Sequence, residues 1–85
     1  MASYIILLSK KAQKQLDNLS DSISEPIIFA IAKLEENPRP PGYKKLKGRE
    51  GYRIRVGNYR IIYDIFESKL IVDIITLGHR KGIYD

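Results

Sequence analysis

Residues 52–63 read YRIRVGNYRIIY, and this stretch decides how the sheet of the protein is built. Two runs rich in Tyr, Ile and Val flank Gly57-Asn58, a dipeptide typical of a two-residue β-hairpin turn. Such a turn places Arg55 directly opposite Arg60 on the neighbouring strand. Because side chains alternate along a strand and cross-strand partners share a face, the register predicts one apolar face and one face with clustered arginines.

The charged side of this hairpin carries Arg53, Arg55 and Arg60. Like charges directly opposite each other on adjacent strands destabilise a sheet, on the order of a few tenths to 1 kcal/mol per pair. We therefore expect the cluster to bind an anionic ligand. The alternative is that Asp64 or Asp73 neutralises the arginines within the protein.

The positive charge of the chain is concentrated in one window. The net charge is +5, yet residues 39–60 hold eight Lys and Arg against Glu50 alone, while the segments 1–38 and 61–85 each carry a small negative balance. Such a concentration favours nucleic acid or another polyanion as the partner. The window includes four residues that we expect to hold RNA beside the arginine cluster: Lys44, Lys45, Lys47 and Arg49.

Composition excludes several classes of protein. The 85 residues include no cysteine, so disulfide bonds, cysteine-based zinc sites and a cysteine nucleophile are ruled out. The longest apolar runs, such as Ile27–Ala32, fall far short of the roughly 20 residues that a membrane span requires, and the N-terminus lacks a signal-peptide pattern. Asp, Glu and His do not cluster at metal-ligand spacing. We expect a single cytoplasmic domain over residues 1–85, with no metal, no cofactor and no membrane partner.

The first half of the chain has the pattern of one strand followed by two helices. Tyr4–Leu8 is a short apolar run typical of a strand, and Ser9 fits a helix N-cap. A break at Asp21–Glu25 separates the two helices, and Pro26 suits the first turn of the second. The apolar residues at helical spacing are Ala12, Leu16 and Leu19 in the first helix, and Ile27, Ala30, Ile31 and Leu34 in the second.

The second half changes to the period of strands. A break rich in proline at residues 37–42 ends the second helix, and three strands follow: Tyr52–Val56, Tyr59–Phe66 and Lys69–Leu77. The predicted order is therefore β-α-α-β-β-β. This order indicates an α+β fold in which two N-terminal helices pack on one face of a mainly antiparallel four-stranded sheet.

The last two strands determine what lies beside the arginines. A second hairpin turn at Glu67-Ser68 would pair Arg60 with Ile75. That register brings the residues after the last strand within reach of the arginine cluster. Three of them have side chains suited to phosphate chemistry: His79, Arg80 and Tyr84.

Across most of its length the sequence resembles the RelE/ParE toxin superfamily, and its RelE branch most. The resemblance rests on Leu46-Lys47-Gly48, on the 52–63 hairpin and on Leu77-Gly78-His79-Arg80 with Tyr84; near the N-terminus it is supported by Tyr4, Ser9, Ala12 and Leu16. Members of the RelE branch are bacterial and archaeal toxins that cleave mRNA in the ribosomal A site and are restrained by an antitoxin from an adjacent gene. The resemblance implies a microbial RNase-like fold and metal-independent cleavage. The ribose 2′-hydroxyl then attacks the adjacent phosphate and leaves a 2′,3′-cyclic phosphate and a 5′-hydroxyl.

Position by position, the resemblance implies catalytic roles for Arg53, Arg55, Arg60, Arg80 and Tyr84, and it adds His79 as an acid–base candidate. The best-known RelE toxins have lysines where Arg53 and Arg55 stand here. Arginine stays protonated in proteins, so neither residue can act as a general base. Both can still bind phosphate oxygens and stabilise a charged transition state.

Two other functions stay open at the level of sequence. A ParE-like toxin shares the fold but inhibits DNA gyrase without cutting RNA, and the phosphate-binding cluster with Arg80 and Tyr84 disfavours this alternative. A decayed, inactive module that only engages antitoxin or RNA is the third possibility.

Overall fold

The structure is a computed structural model that describes residues 3–79. Within that range the chain forms five β-strands, two α-helices and one turn of 3₁₀ helix. In chain order these are β1 Ile5–Leu8, α1 Lys10–Asp17, α2 Asp21–Lys33, β2 Lys44–Lys45, β3 Tyr52–Val56, β4 Tyr59–Phe66, the 3₁₀ turn Glu67–Lys69, and β5 Ile71–His79.

The strands form one mostly antiparallel sheet in the order β1-β5-β4-β3-β2. Only the β1–β5 pair is parallel among the pairs of these five strands. The predicted α+β fold, with two helices packed against a mainly antiparallel sheet, is confirmed, but the predicted number of four strands is wrong. The fifth strand is β2, whose two lysines pair with Arg53 and Tyr52. Two charged residues carry no alternating apolar pattern, so this strand has no signature in the sequence.

Helix α1 begins where its capping residue predicts. The Ser9 hydroxyl oxygen accepts a hydrogen bond from the Ala12 N–H at 3.0 Å, which satisfies one of the unpaired N–H groups of the first turn. The same hydroxyl donates to the Ile75 carbonyl at 2.6 Å. Ser9 therefore caps the helix and also fixes its start against strand β5.

Helix α2 begins earlier than expected. The break predicted at Asp21–Glu25 is wrong, because the helix starts at Asp21 and Pro26 lies inside it. A proline there removes the N–H that would bond to the Ser22 carbonyl. Ser22 and Pro26 are both exposed, so water can bind this carbonyl instead. The N–H of Ser24 donates to the Ser20 carbonyl at 2.9 Å and closes the first turn.

The hydrophobic core lies between the two helices and one face of the sheet. The helical faces predicted from spacing are buried, with Leu19 and Ala30 at the margin. The core consists of Ala12, Leu16, Ile27, Ile31 and Leu34 from the helical segment and Ile54, Ile61, Tyr63, Val72, Ile74 and Leu77 from the sheet. The opposite face of the sheet is also partly covered, since Ile62 on that side is buried.

The two hairpins differ in how well the sequence anticipates them. The β3–β4 register is confirmed, with Arg55 opposite Arg60. The predicted β4–β5 register is wrong, because Arg60 lies opposite Gly78 and not Ile75. Two features cause the shift: the connection contains a 3₁₀ turn followed by Leu70 in the left-handed conformation, and the ladder has a bulge next to Ile62. A bulge adds one residue to a strand and moves every later pairing.

Candidate nucleic-acid interface

Four cationic residues share the face of the sheet that points away from the helices. Lys44 lies opposite Arg53 across β2–β3, and Arg55 lies opposite Arg60 across β3–β4. Their neighbour Ile54 belongs to the core on the helix side, and alternation puts the cations on the other side. We call this surface the basic face, defined by Lys44, Arg53, Arg55 and Arg60.

The three arginines of the basic face lie at different depths. Arg53 is only 6% exposed, Arg60 is half-buried and Arg55 is exposed. All three also interact with other groups of the protein. A guanidinium group has five N–H donors, so a contact within the protein leaves capacity for a ligand. The grouping of these arginines on one face is as the sequence predicts.

The residue opposite Arg60 on β5 is a glycine, Gly78. A Cβ atom added at Gly78 would meet no atom of the described residues within 4 Å. The φ angle of Gly78 is not in the positive range that favours glycine. The backbone conformation therefore does not require a glycine at this position. At this position β5 therefore places no side chain beside the Arg55–Arg60 pair.

A second cationic group lies at the β2 edge of the sheet. A pocket of about 250 Å³ is lined by Lys44, Lys45, Lys47 and Arg53. Arg49, also predicted to hold RNA, is exposed in the loop between β2 and β3. Three of the four predicted RNA-holding residues are thus brought together with Arg53, which the sequence alone did not connect to them.

Arg39, another cation of the basic window, is used within the protein. Its guanidinium donates to a Glu67 carboxylate oxygen at 2.7 Å and to the Tyr52 hydroxyl at 3.3 Å. Glu67 also accepts a hydrogen bond from the Tyr4 hydroxyl at 2.7 Å. Hydrogen bonds from Tyr4 and Arg39 hold the pKa of Glu67 below its usual value, and the bond to Glu67 raises the pKa of Arg39.

The carboxylates proposed as internal partners lie further along the sheet. Asp64 and Asp73 face each other across β4–β5, four residues from Arg60 along β4, which corresponds to about 13 Å. An oxygen of Asp64 accepts a hydrogen bond from the N–H of Ile65 at 2.9 Å. The Arg55–Arg60 pair is therefore well separated from both carboxylates.

His79 lies on the other side of the sheet from Arg60. It pairs with Tyr59, and the two ring centroids are 5.6 Å apart. Tyr59 packs against the core on the helix side, so the expectation that His79 reaches the arginine cluster is not met. Arg80 and Tyr84, the other candidates near the C-terminus, lie outside the described residues.

Within residues 3–79, no three His, Asp or Glu side chains are close enough together to hold a metal ion. In the same part of the chain, no helix has the length and apolar character needed to cross a membrane.

Comparison with known proteins places this geometry in a family. Residues 6–84 match the family of ParE toxins of type II toxin–antitoxin systems. The chain is 34% identical to toxin RelE3 of Methanocaldococcus jannaschii, over 94% of each protein. It is 26% identical to the mRNA interferase toxin RelE of Escherichia coli, over 93% of this chain and 85% of that protein.

A solved structure agrees with the sequence relatives. The archaeal RelE–RelB complex from Pyrococcus horikoshii contains a chain that superimposes with a TM-score of 0.83 at 26% identity, covering 95% of this chain and 99% of that one. Fold, motif and relatives therefore agree. The chain belongs to the RelE/ParE superfamily of toxins from type II toxin–antitoxin systems.

Proposed function

We propose that this toxin is a ribosome-dependent endoribonuclease that cleaves mRNA in the A site and so inhibits translation. The observation that carries the proposal is the basic face, where Arg55 and Arg60 lie opposite each other beside Gly78. A relative named mRNA interferase supports the same activity. Arginines clustered on one face of a sheet suit phosphate binding.

The proposed reaction is an internal transesterification that needs no metal ion. The ribose 2′-oxygen loses its proton and bonds to phosphorus, while the bond from phosphorus to the 5′-oxygen breaks and that oxygen gains a proton. The products are a 2′,3′-cyclic phosphate and a 5′-hydroxyl. Arg60 and Arg80 hold the non-bridging oxygens, and Arg53 and Arg55 add positive charge as negative charge builds up on the pentacoordinate phosphorus.

The two proton transfers need groups other than arginine, because guanidinium does not deprotonate in proteins. Tyr84 suits the acid that protonates the leaving 5′-oxygen, since a neutral phenol is a proton donor. His79 is the other candidate, because an imidazole can both donate and accept a proton. It lies on the helix side of β5, away from Arg60, so the proposal favours Tyr84 over His79.

The proposal includes a protein partner. The chain resembles toxins solved in complex with antitoxins, such as those of Pyrococcus horikoshii and Mycobacterium tuberculosis. We propose that an antitoxin from an adjacent gene binds this chain, a single cytoplasmic domain whose other partners are mRNA and the ribosome.

The test is to map mRNA 5′ ends after the toxin is induced, and to repeat the cleavage on purified ribosomes loaded with a defined mRNA. We expect cuts at a fixed position within the A-site codon. We expect Arg60→Ala to lower their rate about 10²- to 10³-fold. Lys11→Ala is the matched control, because Lys11 is an exposed cation on α1 and not a member of the basic face. Equal cleavage by Arg60→Ala and Lys11→Ala would refute the proposed site.

A gyrase inhibitor is the second candidate, because the matching family is described by its ParE members. In that case induction would cause DNA breaks and loss of supercoiling activity without codon-linked RNA ends. If induction caused neither of these effects, the chain would be an inactive module that only binds antitoxin or RNA.

A further inference from the structure

The basic face is divided into two groups of cations by the pairing of its strands. Arg53 and Arg55 leave β3 on the same side, two residues and about 7 Å apart. Arg55 lies opposite Arg60 on β4, toward the centre of the sheet, whereas Arg53 lies opposite Lys44 on β2, at the edge. The second group therefore has its own position and its own lining.

The described residues that line the pocket at this edge are all basic. Its lining residues are Lys44, Lys45, Lys47 and Arg53, and its volume is about 250 Å³. The ammonium group of Lys45 lies over the Tyr52 ring on the helix side, so the charges that repel each other here are those of Lys44, Lys47 and Arg53. An anion placed among them removes that repulsion. Arg53 supplies a nearly buried guanidinium at 6% exposure, and the lysines supply mobile point charges around it.

The backbone around the pocket is held in place. Leu46, between two of the lysines, is 4% exposed, and its N–H donates to the Gly51 carbonyl at 3.0 Å. Gly51 has a φ of 119°, and a Cβ added there would lie 3.1 Å from Leu46 Cδ1. The ammonium group of Lys45 lies 5.8 Å from the centre of the Tyr52 ring. The lysines therefore extend from an anchored segment and not from a loose loop.

We propose that this pocket is a second phosphate-binding subsite, which holds a backbone phosphate of the RNA substrate next to, but separate from, the scissile one. The inference rests on the proposed RNA cleavage and deepens it. It assigns Lys44 and Lys47 to substrate affinity. Arg53, which lies between the two groups of cations, adds its charge to the flanking phosphate as well as to the scissile one. A phosphate fits because it can accept several charge-assisted hydrogen bonds at once.

The first test measures binding without catalysis. A 2′-O-methyl RNA oligonucleotide cannot be cleaved by 2′-hydroxyl attack, and its affinity is followed by fluorescence anisotropy as the salt concentration rises. We expect the double variant Lys44→Ala/Lys47→Ala to bind about tenfold more weakly. The slope of log affinity against log salt should fall by about 0.7, the value for one lost single-strand phosphate contact. Lys44→Arg/Lys47→Arg should restore both. If the affinity and the salt slope of the double variant equalled those of the Lys11→Ala control, the proposal would be overturned.

The second test separates binding from chemistry on ribosomes loaded with mRNA. We expect the double variant to raise KM about tenfold with kcat within about threefold, because the pocket acts equally on bound substrate and transition state. A fall in kcat at unchanged KM would overturn the assignment. If the double variant loses affinity for ribosomes without mRNA and keeps its affinity for the oligonucleotide, the ligand is ribosomal RNA and the assignment to the substrate strand fails. Absence of cleavage by the unmodified toxin would refute the proposed function, while the anisotropy result would still decide the pocket.

Discussion

Tyr59 and His79 lie directly opposite each other at the end of the β4–β5 ladder, with ring centroids 5.6 Å apart and ring planes at 71°. This edge-on contact is the favourable arrangement of two aromatic rings. Tyr59 packs on the helix side, while the next residue, Arg60, faces the other way. The single histidine of the chain is therefore separated from the proposed phosphate clamp by the sheet itself.

This position predicts that His79 is not the proton-transfer group. We expect His79→Ala to cleave mRNA on programmed ribosomes within about threefold of the unmodified rate. We also expect the pH–rate profile of His79→Ala to keep every limb seen with the unmodified toxin. A loss of 100-fold or more, together with the loss of such a limb, would instead make His79 the acid or base.

Gly78 offers a way to test the Arg60 clamp without touching an arginine. Its backbone accepts a side chain, and a Cβ there meets no atom of the described residues within 4 Å. Gly78→Asp places a carboxylate opposite Arg60, and we expect it to lower cleavage at least about tenfold by competing with phosphate for the guanidinium. Gly78→Ala adds volume without charge, and it should keep both the fold and the activity. Equal activity of the two variants would show that Arg60 does not bind the substrate.

Tyr63 on β4 is hydrogen-bonded to the loop that follows α2. Its hydroxyl donates to the Pro38 carbonyl at 2.7 Å, and both residues are buried. Burial also raises the pKa of Tyr63. Tyr63→Phe leaves the Pro38 carbonyl without this donor, so we expect the free energy of unfolding to fall by about 1–3 kcal/mol. Urea unfolding measures the change, with Tyr43→Phe at an exposed position as the control; equal midpoints for the two variants would contradict the prediction.

The Arg39–Glu67 pair should make stability depend on pH in the acid range. The pKa of Glu67 is lower in the folded protein than its usual value of 4.5. The pair therefore makes its full contribution to the free energy of unfolding above about pH 4.5. This contribution is lost as the pH falls through the lowered pKa of Glu67 in the folded protein. The urea midpoint of the unmodified protein should therefore fall between pH 6 and pH 3, and Glu67→Gln should make this fall smaller. If the urea midpoint of Glu67→Gln fell as much as that of the unmodified protein, other carboxylates would be responsible for the pH dependence.

Local patterns were enough to predict both helices except for the start of α2, and they also predicted the core and the first hairpin. Gly57-Asn58 specifies a two-residue turn, and a turn of known length sets the register of the strands that it joins. The register of the second hairpin was harder to predict from the sequence. Glu67-Ser68 resembled a two-residue turn, but Leu70 adopts a φ of 53° and the connection is longer. A leucine in that conformation is uncommon, and a bulge in the ladder has no strong signature in a single sequence.

Arg39 shows the same limit for charges. The sequence counts it among the cations of the basic window, yet contacts with Glu67 and Tyr52 place it on the helix side. Lys44 shows the converse, because a two-residue strand brings it opposite Arg53. Charge density along a sequence thus predicts that a basic surface exists, and strand pairing decides which charges belong to it.

By itself, the sequence determined the class of fold, the alternation that puts Arg53, Arg55 and Arg60 on one face, and the likeness to a toxin family. These depend on the period of a strand and the length of one turn, which are properties of neighbouring residues. Tertiary structure alone decided that Gly78 lies opposite Arg60 and that His79 lies behind the sheet. The reason is that cross-strand register over a long connection depends on every residue inserted between the two strands, and a shift of one residue turns a side chain to the opposite face.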